Sequence, residues 1–220
     1  MSKNLVLCLT VFLVVTLLYQ TSEVAASKAR HHHVFLSMKA SLPKVEKRLA
    51  DWQRIATLEH KKLKFSKHPK ISKWRKQLDA VSSKRGLLLL KQVNILINGD
   101  VKYISDYKHW GKDFWEGPVE TLEEGGDCED YALLKATTLS FLGWSPNRMH
   151  LVAGVLDNGE AHMMLAVETK DGKRWLLDNR SNLLHRWPYD FWKPVYEVGG
   201  HKRSIRFIEL GTNSKSKKKH

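Results

Sequence analysis

The tripeptide Asp157-Asn158-Gly159 separates two apolar runs, His150–Leu156 and Ala161–Thr169. Asn-Gly between two such runs is the strongest short signature of a tight hairpin, because both residues accept positive φ. The second run leads through Lys170-Asp171-Gly172 into Arg174–Asp178, so three consecutive antiparallel strands are expected. Shorter strands are expected at Val195–Val198 and Ser204–Leu210.

Upstream the apolar period changes. Val45, Leu49, Trp52 and Ile55 recur at helical spacing, which predicts an amphipathic helix over Pro43 to Lys62 with Pro43 in its first turn. A second helix is expected from Ile71 to about Val81, after a break at Pro69. A third runs from Leu87 to Ile97 and stops near Asn98-Gly99. A fourth is expected from Tyr131 to Leu142, with Cys128 at or near its first turn and Gly143 closing it. Helices first and an antiparallel sheet afterwards define an α+β domain. The aromatic stretch between Asp100 and Glu120 reads as a long loop packed by its own side chains and bordering a cleft.

The termini read differently from this domain. Lys3 precedes a 14-residue stretch, Leu5 to Leu18, whose only polar members are Thr10 and Thr16. A polar segment and Val24-Ala25-Ala26 follow, the pattern of a cleaved signal peptide. The run is shorter than the ~20 residues that span a bilayer, so no stable membrane span is expected after processing. The expected organisation is a signal peptide over 1–26, a linker over 27–42, helices over 43–98, a core over 99–211 and a basic tail over 212–220. Arg30-His31-His32-His33 falls in the linker. The net charge of +14 favours anionic surfaces, acidic proteins or nucleic acid. No aromatic-plus-basic RNA signature or zinc-finger spacing is present, so nucleic acid is not the expected partner.

Removal of the leader takes Cys8 with it and leaves Cys128 as the one thiol. A catalytic cysteine acts as its thiolate, and a helix N-terminus favours that charge. Gly125-Gly126 would let the backbone approach a substrate closely. His162 opens the second strand and Asp178 closes the third, so the two are candidate cross-strand neighbours, base and orienting carboxylate. Each has a plainer reading: His162 as a structural histidine, Asp178-Asn179 as the start of a turn. Asp127, Glu129 and Asp130 crowd the thiol with negative charge, which opposes activation. They serve either as helix caps or as oxygen ligands of a hard cation such as calcium.

The blocks Gly126-Asp127-Cys128-Glu129-Asp130-Tyr131-Ala132, His162-Met163-Met164-Leu165-Ala166 and Leu177-Asp178-Asn179 resemble the bacterial transglutaminase-like cysteine proteinases of the LapG type. Val93-Asn94, Tyr103, Asp106, Trp115, Pro118 and Glu120 extend the likeness over about half the chain. The resemblance implies a papain/transglutaminase-like core with Cys128 as nucleophile, His162 as base and Asp178 as third member. It implies Ca2+ held by the acidic residues beside the cysteine, matching Asp127 and Glu129. It further implies a periplasmic endopeptidase that cuts a large surface adhesin near its N-terminus and so disperses biofilm, sequestered by an inner-membrane cyclic di-GMP receptor.

Trp115 is a candidate oxyanion donor beside the Cys128 amide. Two rival readings stand beside the protease. A transglutaminase or amidase would use the same acyl-enzyme with another acceptor. A non-catalytic module would use its basic surface to recognise acidic protein or lipid headgroups.

Overall fold

The computed structural model describes residues 38, 44–45, 47–51, 54–189, 192–199 and 204–207. The expected signal peptide, nearly all of the linker and the basic tail lie outside these residues. Residues 44–45, 47–51 and 54–65 are helical, in keeping with the spacing of Val45, Leu49 and Ile55; we call 54–65 α1. Then follow α2 (Pro69–Val81), α3 (Gly86–Asp100), α4 (Asp106–His109), α5 (Pro118–Glu123) and α6 (Cys128–Phe141). The strands come last: β1 (Met149–Leu156), β2 (Ala161–Glu168), β3 (Arg174–Leu177), β4 (Leu184–Arg186), β5 (Trp192–Gly199) and β6 (Ser204–Phe207). Among the described residues, no helix is long and apolar enough to cross a membrane.

The α+β expectation holds. The strands form one antiparallel sheet in the order β4-β3-β2-β1-β5-β6. Its centre is the expected hairpin. Val155 pairs with Ala161, the Leu156 N–H bonds the Glu160 carbonyl at 2.9 Å, and Gly159 takes φ 85° in the turn. Both faces of the central strands are buried. Leu151, Ala153, Met163, Leu165 and Val167 join the main core with the helices. Val152, Met164, Ala166 and Leu176 point the other way and are covered by Trp192.

Two expectations about helix ends are corrected. Pro69 begins α2 instead of breaking it, since proline's missing N–H costs nothing in a first turn. Helix α3 does not stop at Asn98-Gly99 but runs to Asp100, so the division drawn between 98 and 99 falls inside it. The amide of Asn98 has a tertiary partner there, described below, which outweighs the local stop signal. Helix α6 begins at Cys128, the first-turn position expected for it, because Asp127 and Asp130 form a capping box.

Candidate active site

Cys128 is the first residue of α6, with Asp127 as its N-cap. Gly125 and Gly126 precede it, and their lack of a side chain serves the protein's own packing. Gly125 has φ +114°, and a Cβ there would lie 2.4 Å from the Lys102 carbonyl; one on Gly126 would lie 2.6 Å from the Asp130 side chain. The Gly126 N–H bonds the Lys102 carbonyl at 3.2 Å, and its carbonyl accepts the Ile104 N–H at 3.0 Å. The turn that carries Cys128 is thus stitched to the segment that carries Tyr103.

His162 is buried, and its Nε2 lies 2.8 Å from Asp178 Oδ1. The sheet brings them together on a diagonal. Leu165 pairs with Leu177, so Asp178, one residue past the end of β3, falls two positions from the residue opposite His162. Asp178 Oδ1 also accepts the Arg180 N–H at 2.9 Å and so starts a turn. Burial pushes its carboxyl up. The hydrogen bond and charge of His162, with the Arg180 amide, outweigh that and hold it below the usual range. The pairing uses Nε2 of the ring, which leaves Nδ1 as the atom able to take up a proton.

Cys128 and His162 line one cleft of about 880 Å³, with Tyr103, Tyr131, Asn179 and Arg180 also in its wall. The Met163 backbone N–H, on the strand that carries His162, pulls the Cys128 thiol down. Arg180 and Glu160 face each other 3.9 Å apart at the exposed rim. Trp115 is 5% exposed, packs in the main core, and is not among the residues lining this cleft.

The thiol is not ready to ionise. It donates to Glu129 Oε2 at 3.1 Å. Burial, then the charges of Glu129 and Asp127, push it well above the ordinary range of a cysteine, against a smaller opposing pull from the Met163 amide. Helix position alone is therefore insufficient here. The acidic neighbours belong to a larger assembly that sequence reasoning missed. Asp106, Asp113 and Glu129 offer oxygens within 4.8 Å of one another, and so do Asp106, Glu116 and Asp130. Asp127, Cys128 and Glu129 form a third such group.

Burial pushes Asp106 up to about 7, helped by Asp127, Glu116 and Asp113 and opposed by the Phe114 amide. Burial and Glu116 push Asp130 up to about 11. Asp106 Oδ1, Glu116 Oε2 and Asp127 Oδ1 are buried with no hydrogen-bond partner among the described residues. Asp130 is different: its oxygens accept the Glu116 and Asp127 backbone N–H groups, each at 2.9 Å. It ties the loop to the helix start. Orphaned carboxylate oxygens in an all-oxygen donor set fit a hard divalent cation.

Helix α3 supports the site from behind. The Asn98 amide donates to the Asp178 carbonyl at 2.9 Å and the Ser181 carbonyl at 3.1 Å. Asn94, one turn earlier, donates to the Ser181 carbonyl at 2.7 Å. The paired asparagines four residues apart are the one signal in the sequence that marks this clamp.

Residues 66–196 match the model of the bacterial transglutaminase-like cysteine proteinase family, BTLCP. Among solved structures the chain is similar to LapG from Legionella pneumophila, with 24% identity and a TM-score of 0.56 over 72% of this chain and 86% of that one. The EGTA-treated form of that protein gives a TM-score of 0.56 at 24% identity, covering 71% and 85%. The calcium-bound form gives 0.54 at 24% identity, covering 73% and 93%. At this identity the likeness concerns the fold. No curated protein matches.

Proposed function

The chain belongs to the bacterial transglutaminase-like cysteine proteinase family, and from that premise we propose a calcium-dependent endopeptidase working through Cys128, His162 and Asp178. The observation that carries the reading is the 2.8 Å contact of His162 Nε2 with Asp178, in a cleft that also holds the only thiol among the described residues.

In this mechanism His162 Nδ1 accepts the thiol proton and Cys128 Sγ attacks the scissile carbonyl. Asp178 keeps the ring oriented and stabilises the imidazolium. The Cys128 backbone N–H, free at the helix start, faces the developing oxyanion. His162 returns its proton to the leaving amine, and water then resolves the thioester. Asp106, Asp113 and Glu129 would hold the calcium, with Asp127 beside Glu129 and Asp130 fixing the geometry of their loop. The ion, when bound, neutralises the carboxylates that otherwise keep the thiol protonated.

The substrate class we propose is the N-terminal region of a large surface adhesin, cut in the periplasm with release of the adhesin and dispersal of biofilm. An inner-membrane cyclic di-GMP receptor is the proposed sequestering partner. The test is incubation of wild type and Cys128→Ala with exported adhesins of the host, with and without a calcium chelator and with a free amine present. Cleavage lost in both the variant and the chelated sample supports the reading. Retained cleavage in Cys128→Ala overturns it, and amine incorporation without cleavage would assign the acyl-transferase alternative.

A further inference from the structure

Helix α1 carries a face that neither the catalytic cleft nor the core uses. At 100° per residue, Ile55, Ala56, Glu59 and Leu63 fall on one side. That side is fixed: Leu63 is fully buried and Glu59 accepts the Val119 N–H at 2.9 Å. On the opposite side Arg54, Leu58, Lys61, Lys62 and Phe65 form an exposed stripe. Leu58 is 66% exposed and Phe65 69%. They stand seven residues apart, almost in line along the axis, with Lys61 and Lys62 on either flank.

Along the chain the charge is mostly of one sign, although Lys73 pairs with Asp100 at 2.7 Å and His68 lies 3.6 Å from Glu123. From Arg54 to Lys76 the sequence holds nine lysines and arginines and one acid. That acid, Glu59, lies on the packed side and is already engaged. We propose that this face docks the protein on an anionic lipid bilayer, with Leu58 and Phe65 entering the interfacial region and the flanking cations contacting headgroups. An apolar centre with cationic flanks on an otherwise anchored helix is the arrangement that binds in the plane of a membrane surface. A purely anionic polymer would attract the cations but leave two large apolar side chains against water, which is why a bilayer fits better than a nucleic acid or polysaccharide.

The test uses protein exported by a bacterial host, its N-terminus read by mass spectrometry. It is sedimented with vesicles of phosphatidylcholine alone or with one-third phosphatidylglycerol. Wild type is expected to partition onto the anionic vesicles only, less so as salt rises. Lys61→Gln with Lys62→Gln should weaken partitioning on the order of 30-fold. Leu58→Ser with Phe65→Ser, at unchanged charge, should weaken it roughly tenfold. Circular dichroism and thermal melting of each variant verify the fold.

Two results would overturn the proposal. One is no partitioning of wild type onto anionic vesicles at low salt. The other is an apolar double variant that binds as well as wild type, which would make the face a plain electrostatic patch for a soluble polyanion.

Discussion

Glu129 Oε2 receives the thiol of Cys128 at 3.1 Å, so the neighbouring carboxylate holds that proton in place. In the proposed calcium dependence this contact is the latch. Iodoacetamide labelling of Cys128 at neutral pH should be slow in EGTA and faster with calcium. Glu129→Gln should label faster than wild type without calcium, by about tenfold for each pKa unit recovered, and should lose the response to added calcium. Equal rates for wild type in both conditions would separate the acidic pocket from thiol activation.

Asp178 links pH to stability. Its folded carboxyl is held below the ordinary value despite burial, by His162 and the Arg180 amide. A depressed carboxyl stabilises the fold above the ordinary aspartate value and loses that contribution as pH falls through the folded value. The stability gap between wild type and Asp178→Asn, read by denaturant titration, should therefore be constant at pH 5 to 7 and shrink below pH 4. Activity of the variant should fall by roughly 10² to 10⁴ through loss of the orienting carboxylate.

How the sequence announces these features depends on how local they are. The hairpin at Asp157-Asn158-Gly159 is legible because turn and strands are adjacent. Likewise the helix start at Cys128 follows from four consecutive residues. Strand β4 goes unread because three residues, Leu184–Arg186, carry no period, and α4 and α5 are too short for one. The acidic pocket is invisible for another reason. Asp106 and Asp113 lie 21 and 14 residues before Asp127, in an irregular stretch, and only folding sets them beside Glu129. Trp115, an indole on the loop before Cys128, buries its aromatic surface in the core.

Asn98 shows how a tertiary contact overrides a stop signal. Its amide bonds to the carbonyls of Asp178 and Ser181 keep α3 going past Gly99 and hold the loop behind the Asp178 side chain. Asn98→Ala removes the donor to the Asp178 carbonyl and leaves the Ser181 carbonyl to Asn94, which should cost about 1–3 kcal/mol in chemical denaturation. Because the substrate cleft is untouched, kcat should fall while KM stays near the wild-type value. A change confined to KM would place Asn98 in substrate binding instead.

Lys135 is fully buried two turns along α6 from Cys128, its Nζ 5.7 Å from the Tyr131 ring centre. That Nζ has no hydrogen-bond partner among the described residues. Burial pulls the ammonium down to about 7, with Asp178 the charge that pulls it back up. Since the folded value lies below the unfolded one, the unfolded chain binds the extra proton between the two. Stability contributed at this site should then rise with pH from about 7 towards the ordinary lysine range. Lys135→Met keeps the volume and removes the charge. It should stabilise the fold at pH 6 on the order of 1–4 kcal/mol and flatten the slope between pH 7 and 10, both readable from urea titrations. The same substitution takes away the cation nearest Asp178 on the helix side, so the gain in stability should come with a lower kcat. A variant that is both more stable and fully active would show that Asp178 draws its support from His162 and the Arg180 amide alone.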